Sequence, residues 1–241
     1  MNKGELKLFL GILAIAIALA SVTLYPTFVS SRADNQTGPI VIKDPIKARV
    51  TRKDLFPEGA WYKGKKDAPI LVVEFADYQC PMCATAVEQM KKILAKHPDE
   101  VCYVFHGIQI QATHRNALIM AQAAEAAGLQ GKYWEMHEAL FKKQRDFVTL
   151  PEVDAIDAVT EIAKSIGLDM MRFGADLRGS TATRAQERSG KIAIRAEVQS
   201  TPCFFILRED KSTLKLQSLR ELVNWFDKLD KGQQAANKPA R

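Results

Sequence analysis

The segment Glu74-Phe75-Ala76-Asp77-Tyr78-Gln79-Cys80-Pro81-Met82-Cys83 decides how this chain folds. It continues a short β-branched apolar run, Ile70-Leu71-Val72-Val73, which follows the turn-like Lys63-Gly64-Lys65-Lys66-Asp67-Ala68-Pro69. Ile70 to Phe75 is therefore predicted as a buried strand. After Cys80 the period changes. Met82, Ala86, Met90 and Leu94 recur every four residues, with Val87 and Ile93 beside them. That spacing predicts an amphipathic helix ending near Lys96, before Pro98. The two cysteines fall where a strand becomes a helix, an arrangement suited to dithiol–disulfide chemistry.

Working outward, Glu100 to His106 is a second strand, with Val101, Tyr103 and Phe105. Strand, helix, strand makes a βαβ unit, so the two strands should be parallel. A helical block follows, over Asn116 to Ala127, Tyr133 to Lys143, Glu152 to Ile166, Asp169 to Leu177 and Arg184 to Ala196. Its three- and four-residue apolar spacing predicts a small packed helical subdomain. Val198 to Pro202 is a turn, Cys203 to Leu207 a strand, Thr213 to Gln217 its hairpin partner, and Leu219 to Leu229 a final amphipathic helix. Lys231 to Arg241 has no apolar stripe and reads as a disordered tail. No internal repeat or low-complexity tract is present.

Leu8 to Ser31 holds no charged residue for 24 positions, behind Lys3 and Lys7. Residues 1–31 are thus an export signal or a membrane anchor. Ala18-Leu19-Ala20 fits a small-x-small cleavage site, while the apolar run from 8 to 25 reaches roughly the length that spans a bilayer. Either way the folded part lies outside the cytoplasm, because the lysines stay inside. Disulfides persist in that compartment. Residues 32–60, mixed and polar with Pro39 and Pro45, read as a linker with a short strand over Ala48 to Thr51. The net charge of +6 is spread without a basic stripe interleaved with aromatics, which argues against nucleic acid as a partner.

The order of elements resembles the thioredoxin superfamily, and within it the DsbA-like disulfide oxidoreductases, in which a helical block is inserted into an α/β thioredoxin fold. Asp67 through Cys83 is similar to that family's first buried strand and active site. His114-Arg115-Asn116-Ala117 and Trp134-Glu135-Met136-His137 resemble signatures of its inserted helices, and Val198 to Ile206 resembles its cis-proline loop. The resemblance covers roughly residues 61–230, with the insertion at about 114–196. One departure is Cys203, where the family usually carries a small polar residue after the proline.

The chemistry centres on Cys80 and Cys83. At a helix N-terminus, unpaired N–H groups and the helix dipole stabilise the Cys80 thiolate, making it the exposed nucleophile. Cys83, one turn deeper, is the buried resolving thiol. The rival reading is a pair of metal ligands. Zinc sites usually take four ligands, and no second Cys/His pair of matching spacing exists, so no metal is expected. The resemblance implies that Glu74 is a buried acid serving Cys83 in proton transfer, which suits a carboxyl with a raised pKa. Its alternative is a hydrated strand-end carboxylate. The resemblance also implies a cis Pro202 facing the sulfurs, with the Thr201 backbone pairing an extended substrate strand. Pro81 and Met82, between the sulfurs, join the substrate-binding surface. Asp77 reads as a loop or cap residue, and His114 as a cap for the helix starting near Asn116. Cys102 reads as core, at the opposite end of the sheet from Cys203, so the two should not bridge. Cys203 is either core or an accessory thiol near Cys80.

The implied activity is extracytoplasmic thiol–disulfide exchange, oxidising substrate protein thiols with no cofactor beyond the redox-active disulfide Cys80–Cys83. Reduction or isomerisation by the same site, and a non-catalytic membrane-tethered binding module or chaperone, remain open. The partners expected are substrate proteins, an envelope redox partner and, if residues 8–25 are retained, the membrane.

Overall fold

The computed structural model describes residues 50–209 and 213–236. A short helix, α1 (Arg52–Leu55), precedes strands β1 (Tyr62–Gly64) and β2 (Ile70–Ala76). Helix α2 (Pro81–Lys96) leads to β3 (Val101–Gly107). Five helices follow: α3 (Ala117–Gly128), α4 (Tyr133–Lys142), α5 (Glu152–Ser165), α6 (Met170–Leu177) and α7 (Ser180–Arg195). Strands β4 (Cys203–Arg208) and β5 (Thr213–Leu216) and helix α8 (Leu219–Ala236) complete it.

Every residue of β2 and β3 is buried. Unbroken burial without polar alternation is what a strand covered on both faces requires. The sheet order is β1-β3-β2-β4-β5. β2 and β3 are parallel, with Glu74 opposite Phe105, while β4 runs antiparallel to β2, with Cys203 opposite Phe75. Successive side chains alternate between faces. Ile70, Val72, Ala76, Tyr103, Phe105, Phe204 and Ile206 join the larger core with α2, α8 and the inserted helices. Leu71, Val73, Phe75, Cys102, Val104, Cys203, Phe205 and Leu207 face a second core with Val50, Leu55, Ile192 and Ala193.

Four expectations need correction. Lys63 and Gly64, expected to belong to a turn, lie in β1, which pairs antiparallel with β3. Its Gly64 has φ +85°, and a Cβ there would sit 2.1 Å from the Val101 carbonyl oxygen, so only glycine permits the approach. No strand includes Val50 or Thr51. Instead Thr51 caps α1, its hydroxyl accepting from the Asp54 N–H at 3.2 Å while the Asp54 carboxylate accepts from the Thr51 N–H at 2.9 Å. Val50 and Leu55 are buried, so the described end of the expected linker is packed against the sheet. Helix α7 begins at Ser180 rather than Arg184. The expected tail is helical as far as Ala236, because Asp230 pairs with Lys96 and His97, and Gln233 bonds Glu100. The export or anchor segment, residues 8–25 included, lies outside the described residues, as do most of the linker and residues 237–241. Among the described residues no helix is long and apolar enough to cross a membrane.

Candidate active site

β2 stops at Ala76 and the chain turns through Asp77-Tyr78-Gln79 into α2. The buried Asp77 carboxylate accepts from the Gln79 N–H at 2.8 Å, and its backbone carbonyl accepts from the Cys80 N–H at 3.0 Å. Cys80 is the N-cap, in extended conformation, and Pro81 is the first helical residue. Proline suits that position because its missing N–H has no helical partner to lose.

The inserted helices grip this loop through buried polar side chains. Gln144 donates to the carbonyls of Tyr78 at 2.8 Å and Cys80 at 2.9 Å. Gln79 accepts from the Asn116 N–H at 2.7 Å and donates to the Phe147 carbonyl. The Asn116 amide donates to the carbonyls of Phe147 and Leu150. His114 does not cap α3; its Nδ1 pairs with Asp77 Oδ2 at 2.9 Å. Buried backbone polar groups need such partners, and these supply them.

All four cysteines are unbridged, so the sulfurs are in the dithiol state. Cys83 is fully buried, and Cys80 is only 6% exposed. Cys80 is thus less open than its position at a helix start suggests, because Thr201 overlies it. The Cys80 thiol lies 3.4 Å from the Thr201 carbonyl oxygen, across a cis Thr201–Pro202 bond. The Cys80 pKa is lowered to about 6, chiefly by a hydrogen bond from the Cys83 thiol. The Thr201 side chain and the N–H groups of Cys83 and Met82 add to this, against burial, which opposes the charge. Burial pushes Cys83 well above the ordinary thiol range, and its bond to Cys80 and the Glu74 charge act in the same direction.

Glu74 is fully buried on β2. Its Oε2 accepts from the Tyr103 hydroxyl at 2.6 Å, while its Oε1 has no hydrogen-bond partner among the described residues. Burial raises its pKa to about 8, the Tyr103 bond pulling down and the Cys80 charge pushing up. The hydrated strand-end alternative is therefore excluded. Pro81 is exposed, Met82 is 54% exposed, and Pro202 is buried beside half-buried Thr201.

Cys203 is not brought to the other sulfurs. It is buried in the second core, and burial pushes its pKa to about 11. Strand alternation is the reason, since Phe204, its neighbour, takes the face toward α2. Cys102 is opposite Leu71 on β2 while Cys203 is opposite Phe75, so the two are far apart with β2 between them. His106 and His137 are buried and held neutral by burial, with pKa values lowered to about 4 and about 3. No cluster among the described residues suits a metal. No local sequence pattern marks Gln79, Tyr103 or Gln144 for these roles, whereas His114 and Asn116 fall within His114-Arg115-Asn116-Ala117.

A family model described as thioredoxin matches residues 57–228. The chain belongs to the thioredoxin family that this model describes. A thioredoxin-like oxidoreductase from Silicibacter pomeroyi is 26% identical, with a TM-score of 0.59 over 76% of this chain and 99% of that one. The thiol–disulfide exchange protein alpha-DsbA2 from Wolbachia pipientis is 20% identical and shares the fold, with a TM-score of 0.62 over 76% of this chain and 95% of its own. A Na(+)/H(+) antiporter NhaA 1 from Mycolicibacterium vanbaalenii is 28% identical over 165 residues, 68% of this chain. The chain spans 25% of that antiporter's length. The α/β thioredoxin-like fold with its helical insertion agrees with the sequence-based expectation.

Proposed function

We propose that this protein is a thiol–disulfide oxidoreductase that transfers a disulfide held between Cys80 and Cys83 to the thiols of substrate proteins. The asymmetry between the two sulfurs carries the reading: Cys80 is held down to about 6 while Cys83 is pushed well up. A low-pKa thiol is a good leaving group and a stable product, which favours disulfide donation.

A substrate thiolate attacks Cys80 Sγ, forming a mixed disulfide and breaking the Cys80–Cys83 bond. The expelled Cys83 thiolate takes a proton from the neutral Glu74 carboxyl. A second substrate thiolate then attacks the substrate sulfur of the mixed disulfide, forming the substrate disulfide and releasing the Cys80 thiolate. A disulfide-bearing redox partner of the envelope takes the two electrons and restores Cys80–Cys83. No cofactor beyond this disulfide is needed. The Thr201 backbone and Pro202 pair an extended substrate strand against the sulfurs, and exposed Pro81 and Met82 complete the contact surface. The uncharged run at residues 8–25 supports an extracytoplasmic position, tethered to the inner membrane if that run is retained.

Cys83→Ala tests the reading in cells, since it leaves mixed disulfides on Cys80 unresolved. Capture of secreted proteins bearing cysteine pairs is expected. Unchanged activity in Cys80→Ser, or a potential of the wild-type couple near the roughly −270 mV of thioredoxin, would overturn it.

A further inference from the structure

Tyr103 stands on β3, next to β2, and is buried at 2% exposure. Its ring packs against Trp134, with centroids 5.7 Å apart, which fixes where the hydroxyl points. That hydroxyl is the partner of Glu74 Oε2 at 2.6 Å, and the other carboxyl oxygen, Oε1, is buried with no hydrogen-bond partner among the described residues. A buried carboxyl with one oxygen anchored and one unpaired is oriented for proton exchange at the unpaired atom. We propose that Tyr103 is a positioning residue for thiol–disulfide exchange: it anchors Glu74 through Oε2, so that Oε1 passes the proton to and from Cys83.

The inference rests on the proton-transfer reading of Glu74. The same bond favours the carboxylate over the neutral acid, so it counters the burial that would keep Glu74 protonated. The ionisable groups that interact electrostatically with Glu74 are Cys80 and Cys83 from the α2 start, Tyr78 from the preceding loop, Tyr103 from β3 and Cys203 from β4.

The test follows resolution of a Cys80 mixed disulfide with thionitrobenzoate. The Cys83 thiol gives its proton to the Glu74 carboxylate. The Cys83 thiolate attacks Cys80 Sγ, the Cys80–Cys83 bond forms, and thionitrobenzoate leaves as a coloured thiolate. Rates are measured from pH 5 to 9 in wild type, Tyr103→Phe, Glu74→Gln and the double variant. A hydrogen bond to a charged group corresponds to about one to two pH units. Tyr103→Phe should therefore move the rising limb of the profile up by that amount. At pH 7 its rate should fall about tenfold for each unit. The double variant should match Glu74→Gln alone within about twofold, since the two act as one unit. Superposition of the Tyr103→Phe and wild-type profiles, with Glu74→Gln slow, would overturn the inference and leave the Glu74 reading standing. Full additivity in the double variant would also overturn it, by showing a role independent of Glu74. An unchanged rate in Glu74→Gln would remove both. If Tyr103→Phe does not fold, fluorotyrosine at position 103 keeps the shape and strengthens the donor. It should move the limb down, and no movement counts against the inference.

Discussion

Replacing Glu74 with glutamine should stabilise the fold while impairing exchange, and the size of the gain follows from where the carboxyl titrates. In the reduced folded protein burial raises Glu74 to about 8 from an ordinary 4.5. Between those values the folded state keeps a proton that the unfolded chain releases. The folded state binds more protons there, so stability falls as pH rises through the window and levels off above about 8. At pH 7 the span from 4.5 covers two and a half pH units, which at about 1.36 kcal/mol each comes to about 3 kcal/mol. Glutamine does not titrate and is nearly isosteric. Its side-chain oxygen can still accept from Tyr103. The variant should match wild type below pH 4.5 and exceed it by about 3 kcal/mol at pH 7. Urea denaturation in excess dithiothreitol, repeated from pH 4.5 to 8.5, gives the midpoints directly. The gap between variant and wild type should widen with pH. A constant gap, or a wild type that is the more stable at pH 7, would mean that Glu74 is hydrated and charged in the folded state.

Three further outcomes are expected. Thiolate absorbance at 240 nm in the reduced protein should show one titration near pH 6, and Cys83→Ala should raise it, because the Cys83 thiol is the largest stabiliser of the Cys80 thiolate. At pH 7 that depression from 9.0 to about 6 favours the dithiol by about 1.4 kcal/mol, about 30 mV toward a more oxidising couple. Gln144→Ala removes the side-chain donor to the Tyr78 carbonyl and one of the three donors to the Cys80 carbonyl, which keeps the N–H groups of Cys83 and Ala84, so chemical denaturation should register a loss of about 1–3 kcal/mol, and the Cys80 titration should broaden as the loop loosens. Cys203→Ala should leave the exchange rate within about twofold of wild type, since this thiol lies in the second core; a larger loss would show that it reaches the site after all.

The order of strands and helices was legible because their apolar periods are local properties of the chain. Uniform burial of β2 follows from Ile70-Leu71-Val72-Val73, and the α2 face from Met90 and its four-residue repeats. β1 was not legible, being three residues held by pairing with β3 rather than by its own pattern. Nor was the length of α8, whose last turns depend on distant partners for Asp230 and Gln233. At the site, spacing alone put Cys80 and Cys83 at a strand–helix junction, and a family resemblance singled out Glu74 and Pro202.

Tertiary structure decided what those residues experience. Tyr103 is 29 positions from Glu74 and Gln144 is 64 from Cys80, and no periodic signal links either pair. The side of the sheet that Cys203 takes depends on β4 register against β2, since a one-residue slip would reverse it. The sequence by itself therefore determined that two thiols sit at a helix start on an α/β scaffold. Only the tertiary structure decided their ionisation, because that depends on burial and on hydrogen-bond donors brought in from across the fold.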